Sequence, residues 1–204
     1  CGFIYLAENG VTLKAASFAE ISLKYYYDNI EYWIVDNHIL KSNANNLIYL
    51  PNVITTNVTD MKRLFFGNSY TIPDITHWDV SNVTNMEGMF DLTENFNQDI
   101  TQWDVSSVTN MKFMFMNAKS FNQPIGNWDV SNVINMYGML REGPFNQDLS
   151  SWNVSKVTNM QEMFWNSQFD SDISTWDVSN VTNMERMFKN TPFNHNISNW
   201  DVSK

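Results

Sequence analysis

The stretch Ile100-Thr101-Gln102-Trp103-Asp104-Val105-Ser106-Ser107-Val108-Thr109-Asn110-Met111, followed by Met114-Phe115, decides the fold because it returns along the chain. Tryptophan recurs at Trp78, Trp103, Trp128, Trp152, Trp176 and Trp200, 24 or 25 residues apart. Each opens Trp-Asp-Val, or once Trp152-Asn153-Val154, and an aliphatic residue (Ile75, Ile100, Ile125, Leu149, Ile173 or Ile197) stands three positions before it. A second block follows, as in Val83-Thr84-Asn85-Met86 and Val157-Thr158-Asn159-Met160, with a leading copy at Val58-Thr59-Asp60-Met61. Then comes an apolar pair (Leu64-Phe65, Met89-Phe90, Met114-Phe115, Met139-Leu140, Met163-Phe164, Met187-Phe188) and a Phe-Asn-Gln-Asp turn such as 96–99. Self-similarity at a fixed period marks a tandem array. Six copies fill 58–204 and stop where a seventh would begin, which reads as a truncated array or one without its end cap.

Within one copy, Ile100-x-x-Trp103-x-Val105 has the apolar-x-x-apolar-x-apolar spacing of a leucine-rich repeat, predicting a short parallel strand with Trp103 and Val105 inward and Asp104 outward. From Met111 the apolar positions fall at i, i+3 and i+4 (Met111, Met114, Phe115), predicting a one- to two-turn helix. Thr84-x-x-Glu87, Thr182-x-x-Glu185 and Thr158-x-x-Gln161 fit its capping box. The alternative puts the strand on Val-Thr-Asn-Met and makes Trp-Asp-Val-Ser an entry turn; the recurrent Asn85, Asn110, Asn135, Asn159 and Asn183 then read as an internal ladder rather than helix caps. Either way one copy cannot bury its apolar side alone, and stacked copies share one core. The expected fold is α/β: a right-handed leucine-rich-repeat solenoid of about six strand-plus-short-helix coils with a small N-terminal α+β cap.

Residues 1–57 lack the repeat and are expected to cap the open apolar end, with 1–9 a leader or linker. Val11 to Ala15 reads as a strand, and Tyr25-Tyr26-Tyr27 with Tyr32-Trp33-Ile34-Val35 as a hairpin around 28–31. A polar helical stretch runs to about Asn46, and Val53-Ile54-Thr55-Thr56 leads extended into the first copy.

Composition narrows the chemistry. The 22 Asp+Glu against 12 Lys+Arg give a net charge of -10, which argues against a nucleic-acid surface. One cysteine excludes an intramolecular disulfide, and three scattered histidines (His38, His77, His195) make no zinc pattern. The chain has no Gly-rich phosphate loop and no Gly-x-Ser-x-Gly, and nearly every polar residue of the array is repeated, whereas a catalytic group stands once. The expectation is no enzyme, no cofactor and no metal.

The tandem Trp-Asp-Val-Ser-Asn-Val-Thr-Asn-Met units with Met-Phe and Phe-Asn-Gln-Asp-Ile resemble the BspA-like leucine-rich-repeat surface proteins of host-associated and marine bacteria. The Tyr/Val-rich segment ending at Val35-Asp36 resembles the leader unit of such arrays. Departures are Ile134 for Thr, Leu140 for Phe and Thr71 for Phe. The resemblance implies secretion or surface display and adhesion-type binding to a protein or glycan on another cell or matrix, without catalytic residues.

Two columns are the candidate partner-binding residues. The outward acidic column is Asp79, Asp104, Asp129, Asn153, Asp177 and Asp201; the position before each Trp varies through His77, Gln102, Asn127, Ser151, Thr175 and Asn199. Calcium on the acidic column is the sharper reading; an Asx hydrogen bond to the N–H two residues on is the plainer one, and Asn153 satisfies it as well as Asp. The competing functions are a structural spacer in a larger surface protein and an intracellular inhibitor of a partner protein. Cys1-Gly2 reads either as a lipoprotein N-terminus, lipidated at Cys1, or as the tail of a signal sequence, and both place the chain outside a bacterial cell. The expected state is a monomer, with end-to-end association at the uncapped last coil and membrane contact only through a lipid anchor.

Overall fold

The computed structural model describes residues 2–43 and 52–204. All regular sheet found among them belongs to the N-terminal part. β1 (Ile4–Leu6) pairs antiparallel with β2 (Leu13–Ala15), and β3 (Lys24–Tyr27) with β4 (Ile30–Asp36). Asp28 and Asn29 close that hairpin at φ 49° and 63°, a left-handed pair that these two residue types tolerate best after glycine. α1 (Asn37–Ser42) follows, its first turn capped by the Asp36 carboxylate, which accepts from the Ile39 N–H at 2.9 Å. The helix ends at Ser42, short of the expected Asn46; 44–46 lie outside the described residues. β5 (Val53–Asn57) runs parallel to β4.

Because strand side chains alternate, β4 and β5 serve two cores. Val35 and Val53 join the large core of the array, whereas Tyr32, Ile34 and Ile54 pack with Ile4, Leu13 and Ala15 in a smaller one. The end of the array is met by Asn37, whose Oδ1 accepts from the Thr59 and Asp60 N–H groups at 2.8 and 3.1 Å. In later copies the Thr N–H finds the Thr carbonyl of the preceding copy instead, as from Thr109 to Thr84.

The expected α/β solenoid of strand-plus-helix coils is not what the repeats form. Residues 58–204 contain no strand and no α-helix, only one 3-10 turn (Ile125–Asn127), and the two small sheets do not extend into them. The reason lies in where the backbone N–H groups point. Met86, Gly88, Phe90 and Leu92 donate to the carbonyls of Asn110, Lys112, Met114 and Met116 in the next copy at 2.8–2.9 Å, while Met89, Asp91 and Thr93 donate three residues back in their own copy at 3.2 Å. A helix would need Phe90 to bond Met86. The alternation is made by two left-handed residues per copy, here Gly88 at φ 59° and Leu92 at 60°, with counterparts from Arg63 and Gly67 through Arg186 and Asn190.

The expected strand fails similarly. Trp103 bonds back to Ile100 and Val108 to Val105, so the Trp-Asp-Val segment is a pair of turns. One parallel bridge per copy joins Asp60, Asn85, Asn110, Asn135, Asn159 and Asn183, so the ladder runs through Val-Thr-Asn-Met and is one residue wide. Nor do the capping boxes form. The Glu87 N–H goes to Asn85 Oδ1 (3.1 Å), and the Thr84 hydroxyl donates to the Thr59 carbonyl.

The core is a set of ladders. All six repeat Trp are buried, and the indole N–H groups of Trp103, Trp128, Trp152, Trp176 and Trp200 donate at 3.0–3.3 Å to the aliphatic residue's carbonyl one copy earlier. Phe65, Phe90 and Phe115 stack at 5.5–5.7 Å from copy to copy, and Phe90–Phe96 and Phe164–Phe169 pair within copies at 3.8 and 3.9 Å. Six residues separate the first of these pairs and five the second. The shorter copies therefore lose their residue from the surface turn and keep the same packing.

Met136 is fully buried in this core, and truncating it opens a cavity. Met136→Ala is expected to lower unfolding free energy by about 2–5 kcal/mol in denaturant titration. Ile134→Thr, at a side chain 48% exposed, should stay within about 0.5 kcal/mol because only backbone groups of that residue hold the ladder.

Candidate functional site

The acidic column consists of repeated Asx turns. Asp79, Asp104, Asp129, Asn153, Asp177 and Asp201 each accept through Oδ1 from the serine N–H two residues on, at 3.0–3.2 Å. The serine hydroxyl first and the backbone N–H second hold Asp129, Asp177 and Asp201 below the ordinary carboxylate range. Hydrogen bonds within each copy thus stabilise the charges. Among the described residues no three His, Cys, Asp or Glu side chains gather into a metal cluster.

The variable column is engaged as well. Asn127 Nδ2 donates to the Thr101 carbonyl, Ser151 Oγ to Gly126 and Thr175 Oγ1 to Ser150, each tying one copy to the one before. Gln102 and Asn199 are exposed. His77 and Asp79 depart from the outward expectation because the N-terminal part covers them. The His77 carbonyl accepts from the Leu13 N–H at 3.0 Å, its ring lies edge-on to Tyr32, and burial pushes its pKa down despite Asp74. Asp79 is 2% exposed and lies 3.4 Å from the Lys14 ammonium. Cys1, the lipidation candidate, lies outside the described residues.

A different set of residues also changes in character from copy to copy. It comprises the positions one, two and five after the ladder Met. The second position reads Arg63, Gly88, Phe113, Gly138, Glu162 and Arg186, and the fifth reads Phe66, Asp91, Met116, Arg141, Trp165 and Lys189. The same variation test that picked out the column before Trp picks out these, and reading them as one face of a helix hid it. Their left-handed turns bring them together. The Arg63 guanidinium lies 3.6 Å from the Phe66 ring centre and Arg141 lies 4.0 Å from that of Trp165, with Lys189 over the same indole. Arg141 also bonds the buried Glu162 at 2.7 Å and Glu142 at 2.8 Å, and Arg186 approaches Glu162 at 3.8 Å. Phe113 packs on Tyr137 at 4.5 Å with Lys112 nearby.

Two groups on this face are poorly satisfied. Asp91 is 5% exposed with Oδ1 lacking any hydrogen-bond partner, and burial pushes its pKa up to about 6, with Arg63 and Arg141 only partly offsetting it. The Trp165 indole N–H is likewise buried and unpartnered.

A stack of turn-built copies joined by main-chain bonds, with a recurrent apolar interior and a variable turn face, defines the class: a tandem-repeat protein. The chain belongs to the DUF285 family, described as Mycoplasma protein of unknown function, whose model matches residues 35–146 and 142–204. No curated protein and no solved structure matches it. Among the described residues no helix is long and apolar enough to cross a membrane.

The raised carboxyl of Asp91 fixes a sign. Between about pH 3.8, where the unfolded carboxyl ionises, and about 6, the folded state keeps a proton that the unfolded state has released, so this group's contribution falls as pH rises through that window. Asp91→Asn is expected to melt roughly 2–4 °C above wild type at pH 7.5, with the gap closing below about pH 4. On the acidic column, EGTA should leave the melting temperature unchanged; a shift of several degrees would show a bound calcium.

Proposed function

We propose that this chain is a non-catalytic interaction module of the adhesion type, secreted or displayed on a bacterial surface, as its resemblance to BspA-like proteins implies. Its partner is a protein on another cell or matrix. The acidic polar columns organise the copies, and the variable turn face makes the contact.

The observation that carries this reading is the choice of residue at the first left-handed position of each copy. Left-handed backbone costs a non-glycine residue about 1–2 kcal/mol. Gly88 and Gly138 meet that demand, yet Arg63, Phe113 and Arg186 occupy the same position at φ 55–58° with large side chains aligned on one face. Stability alone favours glycine there, so retaining these side chains points to what they do at the surface. Exposed arginine and aromatic side chains side by side are the composition of binding hot spots. A spacer would not need them. An inhibitor acting inside the cell would use the same face, and fractionation of the native organism separates the two: export requires recovery outside the cytosol.

The contact itself is tested by the triple change Arg63→Gly, Phe113→Gly and Arg186→Gly, which removes three side chains while relaxing their backbone. Its melting temperature should stay close to wild type. Capture of surface proteins that bind the wild-type chain should fall about tenfold or more, or roughly 1.4 kcal/mol. Capture unaffected by the triple change but abolished by Asn127→Ala, Ser151→Ala and Thr175→Ala would move the contact to the polar columns.

A further inference from the structure

The phenylalanine that opens each surface turn forms a column of its own, Phe96 stacking on Phe121 at 5.8 Å and Phe121 on Phe145 at 6.1 Å. The first copy breaks it: Thr71 stands at the Phe position, and Ile72 and Pro73 stand where the next copy has Asn97 and Gln98. Where the column lacks its first ring there is a cleft of about 300 Å³, with Thr71 and Ile72 in one wall and Phe96 and Asn97 in the other. The same change leaves a main-chain donor over. Asn122, Asn146 and Asp170 each donate their N–H to the Asn Oδ1 one copy earlier, at 3.0, 2.9 and 2.8 Å. Asn97 has the same place in its turn, but the residue one copy earlier is Ile72, which offers no side-chain oxygen. Among the described residues the Asn97 N–H has no acceptor. Gln98 fixes the geometry, its Oε1 accepting from the Ile75 N–H at 3.0 Å and its Nε2 donating to the Ile72 and Pro73 carbonyls at 2.9 Å. The cleft is therefore pre-organised.

In a chain of net charge -10, this cleft has no carboxylate and no cation in its lining; its polar side chains are amides and hydroxyls. A charged ligand would lose its hydration there without gaining a counter-ion, and a wholly apolar one would strand the amides. The groups a ligand needs are within reach of solvent. Thr71, Asn95 and Asn97 are exposed and Asn68 is half-buried. Asn68 Oδ1 accepts from the Tyr70 N–H at 2.8 Å, which leaves its Nδ2 for another partner. At the rim the Tyr70 side chain is 71% exposed and offers a flat apolar ring with a hydroxyl at its tip. Neutral donors and acceptors beside a bare aromatic face match a pyranose, whose hydroxyls ring its edge and whose C–H bonds make its faces apolar. The volume lies at the small end of ligand sites, the scale of one sugar ring rather than of a long chain. We propose that this cleft is a subsite for a single neutral hexose unit of a glycan, stacked on Tyr70, with its hydroxyls bonded by the Asn97 N–H and by the Asn68 and Asn95 amides. It lies apart from the turn face and uses none of the residues changed in the triple-glycine variant.

The probes are the methyl pyranosides of glucose, galactose, mannose and N-acetylglucosamine, with the blocked tripeptide acetyl-Gly-Asn-Gly-amide as the test for a peptide amide instead. Each is titrated into the full chain and followed by the amide NMR shifts of Tyr70, Thr71 and Asn97. At least one sugar should saturate these shifts, and added salt should leave its affinity unchanged because no ionic contact is involved. Thr71→Phe restores the recurrent ring and should abolish saturation, with a melting temperature at or above that of wild type. Tyr70→Ala, at an exposed side chain, should weaken binding about tenfold while leaving the melting temperature where it was. The triple-glycine variant should bind the sugar as wild type does, so failure of the subsite and failure of the turn-face contact are read separately. Absence of saturation by every sugar up to about 50 mM, equal or tighter binding of the tripeptide, or undiminished binding by either Thr71→Phe or Tyr70→Ala overturns the assignment.

Discussion

The alternation of backbone N–H groups between the copy they belong to and the copy ahead is the constraint from which the rest of this molecule follows. Met86 bonds forward to Asn110, Met89 back to Met86, and Phe90 forward to Met114. A chain bonded in this way can be neither helix nor sheet, since a helix sends every donor four residues back within its own segment and a strand sends none to its own segment. It can only continue if the next copy presents its carbonyls in the same places, which demands near-identical length and residues of the same shape. The ladders of Trp, Met and Phe are the consequence. Buried backbone polar groups must be paired, and here the partner lies alternately three residues back and one repeat away.

That constraint explains which parts of the fold are visible in the residues alone. The copy boundaries, the buried Trp, Val and Met positions, the hairpin at Asp28-Asn29 and the extended approach at 53–56 all follow from apolar spacing and turn chemistry. The secondary structure within a copy does not. Met111, Met114 and Phe115 have helical spacing because successive turns of three residues also place every third and fourth side chain inward. Periodicity reports the facing of side chains, and two backbones with the same facing are indistinguishable by it. The clue to the difference is Gly88 and Gly138, which stand where a helix would have its second residue. A glycine there is costly in a helix and welcome at φ 59°.

Repetition also misleads about function. A column of aspartates on a repeat surface invites a ligand, yet one local hydrogen-bond rule, repeated with the copies, accounts for it: Asn153 and Asp129 hold the following serine alike. A residue needed by the scaffold must recur, and a residue needed by a partner need not. The column before Trp varies among Asn127, Ser151 and Thr175, but each of these still donates to the copy before it, so the variation is among interchangeable donors. On the turn face Arg, Gly, Phe and Glu succeed one another at a single position and share no such role.

The same logic weighs the unsatisfied groups. In a stack this regular, a poorly paired carboxylate is easily replaced, because neighbouring copies show what fits: Met116 and Trp165 stand at the position of Asp91. Both aspartates stay buried with one oxygen unbonded, and they lie on different surfaces, Asp91 beside the Arg63 and Arg141 charges and Asp79 under the N-terminal hairpin. The two cannot be explained by one local distortion. Glu162 offers the contrast. It is as buried as they are, but Arg141 bonds it at 2.7 Å from the preceding copy, so the fold is able to pair a buried carboxylate on this surface.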